Sequence, residues 1–262
     1  MSPDLGIDEL IDEGRFREAI EKLTARVAIN PNDDERLFLN QLRAIVGQPF
    51  EAWSADWQRV ITIDRERRAG RTPDNASQFP PGSMLEALGR ANQALIGGDS
   101  DAAIDAFDLA ESRAAELRGT IDGEPFTGLR DCHDPTAFVI EWIEGDQYRW
   151  IPLQEIRSLA IDDPMDPIEM ILNPATVTFT DGRTCRGYLP MVYAPARSAS
   201  PSRFDGEAAD EAIEIGQATD FGEGCGLTLA RGRRVWQIED QDVDPASIRQ
   251  IEFETPGRVP LM

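Results

Sequence analysis

Any chemistry in this chain has to start from Asp131-Cys132-His133-Asp134-Pro135, which holds the sole histidine of the sequence beside a thiol and two carboxylates. A thiol, an imidazole and an acid are the parts of a nucleophilic hydrolase. The imidazole takes the thiol proton and the carboxylate orients the imidazole. Adjacency works against that reading, because neighbours in an extended strand point to opposite faces. Cys132 and His133 share a proton only where the chain turns, and Asp134-Pro135 favours a turn. A Cys132–His133–Asp134 hydrolase is therefore a remote reading, and a turn histidine with a local hydrogen bond is the plainer one.

Other chemistries have less to stand on. Cys132, Cys185 and Cys225 are far apart in sequence and form no C-x-x-C or H-E-x-x-H spacing, so no metal is expected. Glu239-Asp240-Gln241-Asp242-Val243-Asp244 alternates like a calcium loop. It lacks the glycine at the sixth position and the glutamate at the twelfth, and reads as a solvated acidic loop. Gly222-Glu223-Gly224-Cys225-Gly226 fits neither phosphate-cradling glycine motif and reads as a link. The expectation is a protein without catalytic residues, cofactor or metal.

Charge narrows the partners. Asp and Glu number 48 against 26 Lys and Arg, a formal charge of -22, and Lys22 is the one lysine among the bases. Such a surface repels phosphate backbones and anionic headgroups, which excludes nucleic acid and membrane surfaces as natural partners. A basic protein or basic helix is compatible, although acidity can equally serve solubility alone. Three cysteines, an odd count, suit reduced thiols. The opening Met1-Ser-Pro-Asp-Leu-Gly lacks the basic and apolar regions of a secretion signal, and no apolar run is long enough to span a bilayer. The expected location is the cytoplasm.

The elements that must position these residues fall into two domains, 1–118 and 119–262. In the first, Gly14…Ala19, Gly47…Ala52 and Gly98…Ala103 repeat a glycine followed five residues later by alanine. Pro31, and Asp64 in its place 33 residues on, are expected to end second helices. This is the tetratricopeptide rhythm: glycine turns the chain, alanine lets helices approach, and proline stops a helix. The third copy is displaced by an insert, Arg71 to Ser83, whose Pro73, Pro80, Pro81 and Gly82 predict a loop.

After Arg118 the pattern becomes β. Ala137–Ile143 and Gln147–Ile151 flank Glu144-Gly145-Asp146 as a hairpin, and Ala175–Thr180 and Arg183–Leu189 flank Asp181-Gly182, a type I′ turn signal. A further hairpin is expected where Gly226–Ala230 meets Val235–Ile238. Ile156-Arg-Ser-Leu-Ala-Ile161 is echoed by Ile248-Arg-Gln-Ile-Glu-Phe253. Ala194–Gly206 reads as a Pro/Ser loop and Glu207–Ile215 as an acidic helix. The fold class is thus multidomain α and β: a tetratricopeptide-like α-α superhelix followed by a β-rich, small-barrel-like domain. The second domain carries 26 acids against 12 bases and so holds most of the acidity.

An ordered set of motifs carries a resemblance. It begins with Leu37-Phe-Leu-Asn-Gln-Leu42, Gly47-Gln48 and Arg71-Thr-Pro73, and continues with Ile121-Asp-Gly-Glu-Pro-Phe126, Asp131 and Asp134. Tyr148-Arg-Trp-Ile-Pro-Leu-Gln-Glu-Ile-Arg157 and Leu189-Pro-Met-Val-Tyr193 complete it. Over nearly its whole length the chain resembles the ImpE/SciE/TagJ family of bacterial type VI secretion accessory proteins. It departs from the family at Asp134-Pro-Thr-Ala137, where Arg-x-Gly-Pro is expected, which puts a shared role for that corner in doubt. The resemblance implies a non-enzymatic adaptor that binds a helix of the contractile sheath's small subunit and links the sheath to the recycling AAA+ ATPase. A helical-repeat groove suits an amphipathic helix. The groove between the first and second repeats, with Leu37, Gln41 and Ala44, is the expected contact, the alternative being that these residues, Leu37 above all, are core. A general tetratricopeptide scaffold for another peptide or small ligand is the other reading.

Overall fold

The computed structural model describes residues 6–51, 54–195, 203–204 and 210–254. Six helices come first: α1 Ile7–Asp12, α2 Phe16–Ile29, α3 Asp33–Ile45, α4 Ala55–Arg68, α5 Met84–Gly97 and α6 Ser100–Glu111. Their origins are local. Phe16, Ala19, Ile20 and Leu23 form a buried stripe at helical spacing along α2. The Asn32 side chain accepts the Asp34 N–H at 2.8 Å to start α3, and Ser83 and Asp99 cap α5 and α6 in the same way at 3.1 Å each. Gly14, Gly47 and Gly98, the three expected turn glycines, all have φ between 72° and 76°. Ala19 and Ala103 are fully buried, as the repeat rhythm requires.

The packing of these helices is less regular than a superhelix. α2 packs on α3, and α5 on α6 through Ala87, Ala91, Ala103 and Ala110, all fully buried. α4 instead lies against the sheet. Asp64 does not end a helix; it sits inside α4 and is buried. The positions Val60, Asp64 and Arg67 form one helical stripe, so Asp64 faces inward where Pro31 faces a helix end. The insert 71–83 is a loop with one 3-10 turn at Ala76–Gln78.

The rest is β. The strands are β1 Arg118–Ile121, β2 Glu124–Thr127, β3 Leu129–Asp131, β4 Val139–Glu144, β5 Gln147–Pro152, β6 Ile156–Ile161, β7 Leu172–Phe179 and β8 Thr184–Pro190. β9 Arg203–Phe204 and a short helix, α7 Asp210–Glu214, precede β10 Thr219–Gly224, β11 Leu227–Gly232, β12 Trp236–Ile238, β13 Gln241–Val243 and β14 Gln250–Phe253. An 8-stranded antiparallel sheet runs β2-β1-β14-β6-β7-β8-β4-β5, and two 3-stranded sheets run β11-β10-β9 and β13-β12-β3. The large sheet ends on β2 and β5 and does not close, so the barrel expectation is corrected to an open sheet. Its β5 edge is protected by the insert: Asp74 and Asn75 hydrogen-bond the backbone N–H groups of Tyr148 and Trp150 at 2.7 and 3.2 Å.

The β4/β5 and β7/β8 hairpins form as expected, and the echoed segments pair directly as β6 and β14. Other details change. In the β7/β8 turn Gly182 has a positive φ and Asp181 does not, while Gly182 N–H donates to Phe179 O at 2.9 Å. That is a type I turn followed by a left-handed glycine, not type I′. β11 pairs with β10, and β12 with β3 and β13, so the expected 226–238 hairpin does not exist. The 222–226 link is strand plus a tight turn, with φ of 52° at Cys225 and 75° at Gly226. The expected 207–215 helix is seen as α7. Residues 207–209, and most of the expected 194–206 loop, lie outside the described residues.

Alternation along β4 divides the core. Ile140 and Trp142 join the cluster on one face of the sheet, with Leu159, Val177, Trp236 and Ile251. Val139 and Ile143, with Tyr148 and Trp150 of β5, join a cluster continuous with the helices. Glu141 therefore faces the helical half.

Candidate functional site

Helix α4 brings Arg67 to the helix-facing side of β4, where Glu141 lies between Ile140 and Trp142 in an otherwise apolar run. Arg67 Nε and Nη2 donate to Asp64 Oδ1 at 2.9 and 2.8 Å, Nη1 to Glu141 Oε2 at 3.0 Å, and Nη2 also to Val192 O at 2.7 Å. Arg68 closes Asp64 Oδ2 at 2.8 Å. From the other side Arg234 donates to Asp131 and Glu141, and its Nε to Pro190 O at 2.9 Å. Tyr148 donates its hydroxyl to Glu141 and accepts from Trp150 Nε1 at 2.8 Å, while Tyr193 donates to Asp131 at 2.7 Å. Arg67, Arg234, Asp64, Asp131 and Glu141 are all buried. With Arg68 the cluster balances three cations against three carboxylates, which is what permits so many charges away from water. Burial alone would raise the Glu141 carboxyl; Arg67 and Arg234 overcome it and hold it at about 2.

Above this network lies a cavity of about 360 Å³ between α4, the insert, α5 and β4–β5. Phe79, Trp150, Ile96 and Pro135 contribute apolar wall, and the Phe79 and Trp150 rings stack with centroids 6.2 Å apart. His133 lines it too, with its ring 5.1 Å from that of Tyr193.

The 131–135 corner does not assemble a hydrolase. Cys132 Sγ is 3.7 Å from Asp242 Oδ1, and burial together with Asp242 and Asp131 pushes its thiol up to about 12. His133 Nδ1 accepts the Ala230 N–H at 2.9 Å, and burial lowers the imidazole to about 3. Asp134 binds Arg130 and accepts the Thr228 N–H at 2.6 Å. The three side chains take three different partners, so none relays a proton to the next. The imidazole's hydrogen bond is to Ala230, 97 residues away, and not the local one expected of a turn histidine, and the histidine is buried. Among the described residues no group of three or more His, Cys, Asp or Glu could hold a metal ion, and no helix is long and apolar enough to cross a membrane.

Leu37, Gln41 and Ala44 lie on α3. Leu37 is half-buried and the other two are buried. α3 packs on the 3-10 turn Pro167–Met170, and Gln41 Nε2 donates to Asp166 at 3.2 Å. The network residues Asp64, Arg67, Glu141 and Arg234 do not stand out by motif. The available signal is placement: Asp64 and Arg67 continue the apolar stripe of α4, and Glu141 interrupts an apolar run.

A family model described as ImpE protein matches residues 123–252, the region that carries β2 through most of β14. The type VI secretion system accessory component TagJ of Pseudomonas aeruginosa is 27% identical over 268 aligned residues, covering 94% of this chain and 90% of that protein. The crystal structure of protein VPA1032 from Vibrio parahaemolyticus superimposes with a TM-score of 0.73 over 95% of this chain and 98% of that one, at 16% identity. That likeness shows a shared fold. Matched through its β half by the family model and along nearly its full length by TagJ, the chain belongs to the ImpE/SciE/TagJ family.

Proposed function

We propose that the chain is a non-enzymatic accessory component of a type VI secretion system. In this reading it works in the cytoplasm as an adaptor that binds a helix of the sheath's small subunit and links it to the recycling AAA+ ATPase. The observation that carries the proposal is its end-to-end similarity to an accessory component of such a system. The site chemistry supports it: the buried ions neutralise one another, and the Cys132 thiol and His133 are each committed elsewhere. The sheath contact is assigned to α3, with Leu37 at the surface and Gln41 and Ala44 beneath it. Asp33, Asp34 and Glu35 in its first turn favour a basic partner helix.

The test is a calorimetric titration of the full chain with the N-terminal helix peptide of the sheath small subunit from its own genome. Saturable binding at micromolar affinity or better is expected, and Leu37→Glu should weaken it by about tenfold or more. No heat from a demonstrably helical peptide and a folded protein overturns the sheath contact.

A further inference from the structure

We propose that the cavity over the ion network is a binding site for an extended peptide segment of a protein partner. The segment seats an apolar side chain against Phe79, Trp150 and Ile96 and its backbone amide on His133 and Asn92. This rests on the reading of the chain as a protein-binding component and gives that reading a second site, separate from α3.

His133 Nδ1 accepts from the Ala230 N–H, so the proton of the neutral ring sits on Nε2. The residue is only 5% exposed, and its Nε2 has no hydrogen-bond partner among the described residues. That nitrogen is not among the fully enclosed atoms left without a partner, so it opens onto the cavity, where a ligand acceptor can take its hydrogen bond. Asn92 supplies the complement. Its Nδ2 donates to Leu88 O at 3.0 Å and Pro135 O at 2.9 Å, which fixes the amide orientation and leaves Oδ1 as an acceptor. One donor and one acceptor on the same cavity match the single C=O and N–H of a peptide unit.

Charge argues for a neutral ligand. Arg67 and Glu141 bind each other, Arg71 is taken by Glu66 and Asp74, and Arg90 faces Glu86 at 3.6 Å. No cation lining the cavity is left without a carboxylate, so a phosphate or carboxylate finds little to hold it. The exposed wall is mostly apolar and the volume suits a side chain with its amide. Ile96, 43% exposed at the edge, is an apolar surface such a segment would cover.

The sole histidine makes the site directly observable. The full chain is labelled with ¹⁵N-histidine and titrated with N-acetyl-leucine N-methylamide, a single peptide unit bearing an apolar side chain. Sodium acetate serves as the anionic comparison. The expected result is a saturable shift of the His133 Nε2 resonance with the amide and none with acetate. Gly89 lines the cavity, and in Gly89→Leu the added Cβ makes only an ordinary contact, with Phe79 at 3.9 Å, so the substitution is suited to narrowing the cavity. The free resonance should persist there while amide affinity falls at least about tenfold. A shift produced by acetate alone, no saturable shift with the amide, or undiminished binding in Gly89→Leu would each overturn the site. The probe contains no sheath sequence, so its failure removes this site and leaves the sheath titration to decide the adaptor reading.

Discussion

Arginine–carboxylate pairs of nearly equal length occur in two settings in this molecule. At the junction, Arg67 reaches Asp64 and Glu141 at 2.8 and 3.0 Å with about 1% of its side chain exposed. On the N-terminal helices, Arg15 reaches Glu18 at 2.7 Å and Arg26 reaches Glu35 at 2.9 Å, with 37% and 53% of the arginine side chains exposed. Distance does not separate the two sets; water does. At the surface, solvent screens the pair and replaces a lost partner, so its contribution is small. At the junction each ion has given up its hydration, and the pairs offset that cost only while the set is complete. The network also spans α4, β4 and the segment before β12, so it fixes how the helices sit on the sheet.

Removing one junction partner should therefore give the largest effect. Arg234→Met keeps bulk but leaves Asp131 with Tyr193 and a backbone N–H, and Glu141 with Arg67 and Tyr148. A loss of about 3–5 kcal/mol is expected by urea denaturation. A loss no larger than that of a surface pair would break the comparison.

A pH series sharpens it. The folded His133 pKa of about 3 lies below the unfolded value of about 6.5. As pH falls through 6.5 the unfolded chain takes up a proton that the native chain refuses, so stability is full above 6.5 and declines toward 3. From pH 7 to pH 5 this single residue should remove about 2 kcal/mol. His133→Gln should flatten that interval whatever its own stability at pH 7. The N-terminal helices contain no histidine and cannot supply the slope. An equal slope in the variant would show that another group titrates.

What was legible in the sequence follows from the range of the interactions. Turn glycines and the two hairpins with short loops are local, and they read correctly at Gly98, β4/β5 and β7/β8, the turn type of β7/β8 apart. β11 reads as the partner of Val235–Ile238 because that segment is as near in sequence as β10 and more apolar. Only the distant β3 strand, which pairs with β12, decides between them. The open sheet was hidden for the same reason, since the insert that caps β5 is remote in sequence. The family was legible from ordered motifs across both halves. The ion network was not, because an arginine or aspartate in a helix ordinarily faces solvent. Asp64 betrays itself only through its stripe with Val60 and Arg67, and Arg234 and Glu141 meet only in the fold.

The smallest expected effect belongs to Arg26 and Glu35, which bridge α2 and α3. Arg26→Ala should change stability by no more than about 0.5 kcal/mol, measured in the same urea series as Arg234→Met. Salt supplies a second handle. At 1 M the screening length is about 3 Å, comparable to the 2.9 Å contact, so the coupling from a double-mutant cycle with Glu35→Ala should fade. Junction couplings, closed off from ions, should hold under the same salt. A salt-resistant coupling above about 1 kcal/mol at Arg26–Glu35 would mean that geometry and not burial sets these energies. Fading there alongside persistence at the junction identifies exclusion of water as the variable that separates the two regions.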